Sequence, residues 1–150
     1  MAKGFEVLFD TSKLPSKTLV NHIFKMAMVE TQNKVLRKVY DESQTLVPVS
    51  TGALKASAKF EPANEFELNA YIQYGDDMVN YALAVHEDLL ARHDSPTQAK
   101  YLEVPMSRHQ RELLPELVKN LRIEWERAGL SAGFNLNTFS ADINEFFGKE

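Results

Sequence analysis

The side chains in this 150-residue chain best suited to chemistry are four histidines, several paired acids and a group of tyrosines. His86-Glu87-Asp88-Leu89-Leu90 begins like the helical motif of a zinc protease. In that motif two histidines four residues apart hold the metal and the glutamate takes a proton from water. Position 90 is a leucine, so the second ligand is missing. His22, His86, His93 and His109 follow no ligand spacing and read as surface or capping residues. Asp76-Asp77 falls in a turn pattern and reads as solvated. Tyr71, Tyr74, Tyr81 and Tyr101 are able to stack on bases, but they lack the interleaved Lys and Arg of a single-strand binder. With six glycines there is no nucleophile elbow, no phosphate loop and no dinucleotide fingerprint. The residues therefore point to no enzyme: no catalytic residue, no cofactor site and no metal ligand is assigned. His86 and Glu87 read instead as a hydrogen-bonded pair closing a short helix against an upstream corner.

Composition sets the frame for the elements that place these residues. The length fits one domain with a real core. The chain is 44% hydrophobic and 25% charged, ordinary for a globular protein. It has no cysteine, which excludes disulfides and thiolate metal sites and fits a reducing cytoplasm. No apolar run approaches the ~20 residues that span a bilayer, and the first residues lack the apolar centre of a signal peptide. A net charge of −4 argues against a general nucleic-acid binder.

The patterns predict an α+β fold: a small antiparallel sheet of three or four strands packed by a long N-terminal helix and a C-terminal helix. Residues 5–10 alternate as a short strand. Ser16 caps a helix from Lys17 to about Thr45. Its main stripe is Val20, Phe24, Ala27, Met28, Thr31, Val35, Val39 and Leu46, interrupted near its end by Lys38 and Glu42. A second stripe, Leu19, Met26, Val29, Leu36 and Tyr40, lies on the opposite side. Either the helix is covered on both sides within its own monomer, or its back packs on a neighbouring subunit through Leu36 and Tyr40. Ala56, Ala58 and Phe60 alternate with polar residues. Phe66, Leu68, Ala70, Ile72 and Tyr74 do so over nine residues, the clearest strand pattern of the chain. Residues 79–90 form a short helix and residues 92–98, with Pro96, a loop. Pro105 precedes the last long helix and Ser107 caps it. Pro115 kinks that helix or marks its start, and Gly129 ends it. The domain covers residues 1–130, and residues 131–150 are an extension or arm.

The corner between helix and sheet is Pro48-Val49-Ser50-Thr51-Gly52-Ala53-Leu54-Lys55-Ala56-Ser57. Pro48 pushes Val47 out of the α region, Thr51 caps a turn, and Gly52 permits a positive φ. A Pro-x-x-Thr-Gly-x-Leu-x-x-Ser corner after a long helix resembles the tail-component family of tailed bacteriophages, the neck or tail-completion (minor capsid) proteins. Tyr81-Ala82-Leu83-Ala84-Val85-His86-Glu87 resembles that family's Tyr-Ala-x-x-Val-His/Glu-Glu segment. A polar loop and Tyr101-Leu102 before the last helix follow in the family's order, so the likeness covers about residues 16–128. After Glu87 the chain has Asp88-Leu89-Leu90 where the family often has an aromatic-Gly-Thr.

The resemblance implies a virion structural protein of the neck, made in the host cytoplasm, that joins head to tail or completes the tail. Its partners are then further copies in a homo-oligomeric ring and other head–tail proteins, with no cofactor, no membrane, and DNA at most passing through the channel. A small cytoplasmic enzyme, or a toxin-like protein, with a site near His86 and Glu87 stays open as the alternative. Residues 60–91 hold seven acids and no Lys or Arg. They form a solvated face, or a surface meeting a basic partner or repelling passing DNA. Phe134, Phe139, Phe146 and Phe147 crowd the C-terminal 20 residues, which fold back or dock on a neighbouring subunit with Phe146 and Phe147 as anchors.

Overall fold

Ser16 starts the first element. Its side chain accepts the Leu19 amide at 3.2 Å, satisfying one donor of the first helical turn. Helix α1 follows as Lys17–Leu46 and stops where Pro48 requires it, with Val47 extended at φ −63°, ψ 130°. The computed structural model describes residues 15–130. The expected strand over residues 5–10 and the arm with Phe146 and Phe147 lie outside the described residues.

Gly52, at φ 84°, opens the short helix α2 (Ala53–Ala56). Strand β1 (Lys59–Glu61) pairs antiparallel with β2 (Tyr71–Gln73), Phe60 opposite Ile72. Helix α3 (Ala82–Glu87) lies beyond a turn. Helix α4 (Glu103–His109), a 3-10 turn (Gln110–Glu112) and helix α5 (Leu113–Arg127) then run back along α1. The antiparallel register is visible in the pairs Glu42–His109, Lys38–Glu112, Lys34–Glu116 and Thr31–Asn120. The fold is α+β, with a long N-terminal helix, a C-terminal helix and a small antiparallel sheet.

The buried row of α1 differs from the expected stripe. Ala27, Thr31, Val35, Val39 and Leu46 are buried as expected, but so are Ile23 and Ser43, while Phe24 and Met28 face outward. Residues 23, 27, 31, 35, 39 and 43 step by four. Each step overshoots a turn by about 40°, so the row winds about 200° around the helix. The N-terminal half thus meets α5, through Ile23 and Ala27 against Leu121. The C-terminal half meets the corner, through Leu46 and Val47 against Leu54, Val79, Ala82 and Tyr101. Lys38 and Glu42 do not break the packing, because they bond to Glu112, Arg108 and His109 across the helix pair. Partners within the chain also meet part of the second stripe. Leu19 packs on the Ile23–Leu121 cluster, and the Tyr40 ring lies 6.1 Å from that of Phe60.

The sheet is smaller than expected. Among the described residues it has two strands of three residues, not three or four. Ala56 belongs to α2. The nine-residue pattern over residues 66–74 pairs only at Tyr71–Gln73. Pro62 has no N–H for a ladder, and two α1 side chains take the neighbouring backbone groups. Asn33 accepts from the Ala63 amide at 2.7 Å and donates to its carbonyl at 2.9 Å. Gln32 donates to the Leu68 carbonyl at 2.9 Å and accepts from the Ala70 amide at 3.3 Å. Phe66 and Leu68, inward by alternation, are consequently exposed.

Three further boundaries shift. Helix α3 spans six residues rather than residues 79–90, because Asp88 accepts the amides of Leu90 and Ala91 and turns the chain. Ser107 sits inside α4 and does not cap it. Pro105 and Pro115 are each third in their helices, where the missing N–H has no intrahelical acceptor. At the far end Gly129 has φ 74°. Its amide donates to the Glu126 carbonyl at 3.0 Å, and that of Leu130 to Trp125 at 3.1 Å, closing α5 in a Schellman turn.

Candidate functional site

The three segments that carry the sequence likeness converge on one place. Leu46, Val47 and Leu54 of the corner, Val79 and Ala82 before and within α3, and Tyr101 before α4 form one buried cluster, joined at its edge by Tyr74, Val85, Leu102 and Val104. Tyr101 is its centre. Its ring meets Tyr74 and His86 edge-on, at centroid distances of 5.0 and 4.9 Å, and its hydroxyl donates to the Ala82 carbonyl at 3.0 Å. Burial pushes its phenol from 10.0 up to about 12, with a smaller push from Tyr74. Tyr74 moves up for the same main reason. Its hydroxyl is 2.7 Å from the Ser43 hydroxyl and accepts from Gln44 at 2.8 Å, and both bonds oppose the rise.

The corner itself is built as its residues suggest. Gly52 takes the left-handed conformation, and the Thr51 hydroxyl oxygen accepts the Ala53 amide at 3.4 Å. Pro48, Thr51 and Gly52 line a hollow of about 90 Å³ with Tyr81 and Val85. The corner is tied down by Ser57, the last residue of the motif. This buried hydroxyl donates to the Leu54 carbonyl at 2.7 Å and accepts the Gly75 amide at 2.9 Å.

His86 and Glu87 do form the expected pair, Nδ1 to Oε1 at 2.7 Å. It faces Lys100 and Tyr101, not the corner. Lys100 Nζ lies 2.5 Å from Glu87 and 2.9 Å from Glu103, and the Lys100 amide donates to the His86 carbonyl at 2.8 Å. The chain is held there tightly enough to keep Lys100 at φ 57°. The Lys100 ammonium, and next the His86 ring, hold the Glu87 carboxyl below the usual range, and Glu87 in turn raises Lys100. The pair sits beside a hollow of about 290 Å³ lined by Tyr74, Ala82, Leu83, Tyr101 and Leu102. Tyr81 and Ala82 split between the two hollows, Tyr81 toward the corner and Ala82 beneath Tyr101.

The remaining histidines do not gather. His109 bridges two carboxylates, Nε2 to Glu42 at 2.9 Å and Nδ1 to Glu112 at 2.6 Å, within the α1–α4 pairing. Among the described residues no group of His, Asp and Glu could hold a metal ion. All seven acids of residues 60–91 are exposed. Asp76 Oδ1 accepts the amides of Met78 and Val79, both at 2.9 Å, so it and Asp88 shape turns as well as carrying charge.

Sequence reasoning missed Ser57, Gly75 and the Gln32–Asn33 clamp. The motif contained Ser57, and Gly-Asp at 75–76 marked a turn. Nothing local pointed to two α1 amides bonding 30 to 38 residues away. No helix of the described residues is long and apolar enough to cross a membrane. Comparison with family models, curated proteins and solved structures finds no match.

Proposed function

We propose that this chain is a virion structural protein of the phage neck, joining head to tail or completing the tail as a subunit of a ring. The observation that carries the reading is the surplus apolar surface of the described residues. Phe66, Met78, Leu83, Leu89 and Leu90 are 89%, 88%, 72%, 71% and 95% exposed, more large apolar side chains than a surface meeting only water is expected to carry. The meeting of the corner, the Tyr81–Glu87 segment and Tyr101 in one cluster supports it further. The proposed mechanism is interface formation, with binding free energy spread over repeated contacts between copies and with other head–tail proteins. Head-to-tail contacts close into a ring when their rotation closes. Leu36, the outer part of Tyr40, and Phe146 and Phe147 of the arm belong to these contacts.

Light scattering behind size exclusion, with micrographs of the same fractions, tests the proposal. A large closed oligomer is the expected result. A monomer or dimer at every concentration would overturn it. The His86–Glu87 pair beside its hollow is the one observation that favours an enzyme. A carboxylate held low by Lys100 is a poor general base at neutral pH, where an effective base needs a pKa near the working value. A catalytic turnover lost in Glu87→Gln would reverse that judgement.

A further inference from the structure

The exposed apolar residues and the acids are not scattered. Met78, Tyr81, Leu83, Leu89 and Leu90 all fall within residues 76–90, the segment around α3, and all are exposed. The same segment holds Asp76, Asp77, Glu87 and Asp88 and no Lys or Arg. The segment is a lobe in which exposed apolar side chains and acids are mixed. Residues 60–91 as a whole carry seven acids and no base, whereas the other described residues carry 14 Lys or Arg against 9 Asp or Glu. The charge of the described residues is therefore unevenly divided along the chain, and basic groups that could meet the acidic segment are present on the chain itself.

We propose that this lobe docks on the outward face of α4 and its 3-10 turn in a second copy. That face is Val104, Ser107, Arg108 and Arg111, spaced i, i+3, i+4 and i+7, which with Glu103 line an open hollow of about 500 Å³. Val104, half-buried against the cluster around Tyr101, is its one apolar side chain. Arg108 is exposed and shared with Glu42, and Arg111 makes no ion pair among the described residues. Glu103 at its edge is tied to Lys100. Exposed apolar residues and acids on one copy thus meet a hollow flanked by arginines on the next. Arginine is enriched at the centres of such contacts. The two surfaces differ and sit on different elements, so the contact is head-to-tail and leaves a free lobe at one end and a free face at the other end of any open chain.

This inference rests on the ring reading and specifies its interface. Three variants test it, all at exposed positions outside the buried cluster. Leu89→Ser/Leu90→Ser removes the apolar tip. Asp77→Lys/Leu90→Lys makes the lobe basic, and Ser107→Glu/Arg111→Glu makes the face acidic, so each of these two repels itself. All three should melt like the parent, and each should associate more than about tenfold more weakly, the first because the contact loses apolar area and the other two because like charges across an interface are strongly unfavourable. A 1:1 mixture of the two charge variants should recover assembly in alternating order, which a merely structural defect would not permit. If the parent assembles and the variants assemble equally well, or the mixture stays apart, the lobe is not the interface while the ring reading stands. If the parent itself stays monomeric at every concentration, the ring reading falls and the lobe falls with it.

Discussion

Two glycines share a backbone conformation and differ in what surrounds them, so replacing each with alanine separates strain from packing. Gly52 has φ +84° and Gly75 has φ +86°, and both therefore lose the left-handed freedom that L-residues lack. That loss costs about 1–2 kcal/mol for an alanine, partly offset by about 0.4–1 kcal/mol from a stiffer unfolded chain. A Cβ on Gly52 would meet nothing within 4 Å. On Gly75 it would lie 2.7 Å from the Val79 carbonyl oxygen and 2.8 Å from the Ala82 Cβ. Neither atom is the end of a flexible side chain, so the lead-in to α3 must move. Gly75 is also held from behind, because its amide donates to Ser57. Overpacking of this kind costs about 1–3 kcal/mol. The φ contribution cancels between the two sites, so Gly75→Ala should destabilise by about 1–3 kcal/mol more than Gly52→Ala. Urea unfolding followed by circular dichroism measures this as a shift in midpoint at constant slope. Equal losses, or a larger loss at Gly52, would refute the reasoning. Gly52→Val should fall between them, at ~1 kcal/mol or more, because a β-branched residue tolerates positive φ poorly.

Ser57→Ala should cost about 1–3 kcal/mol by leaving the buried Gly75 amide without its acceptor, and a midpoint shift under about 0.5 kcal/mol would show that the bond is replaceable. The Tyr101 phenol is raised from 10.0 to about 12, so its share of stability is present below pH 10 and lost as pH rises toward 12. In a rapid alkaline jump, one of the five tyrosines should ionise only with unfolding. Tyr101→Phe should abolish that slow phase, and immediate ionisation of all five in the parent would contradict the burial argument. Lys38, and then His109, hold the Glu112 carboxyl below its usual value of 4.5. Its contribution is therefore present above that value and lost as pH falls through the folded value. The stability gap between the parent and Glu112→Gln should close as pH falls through and below 4.5, and a gap that stays constant would mean the pairing adds nothing.

Local rules were enough for part of this molecule. Ser16, Pro48, Gly52 and Gly129 act on their immediate neighbours, and the helix start, the helix stop, the left-handed turn and the Schellman end all follow from residue type. The long α1, the later helix and an antiparallel hairpin were legible because hydrophobic periodicity records which face is covered. Periodicity does not say what covers it. Phe24, Met28, Phe66 and Leu68 obey the helical and strand periods and are nevertheless exposed among the described residues. The hairpin is short because Gln32 and Asn33 take backbone groups that a ladder would otherwise use. The His86–Glu87 pair was legible as neighbours, but its ties to Lys100 and Tyr101 come from a segment 13 or more residues away. Those outcomes depend on distances between residues far apart in the chain. Only the tertiary structure sets them, because a side-chain amide or a ring finds its partner by packing, and packing has no period to read.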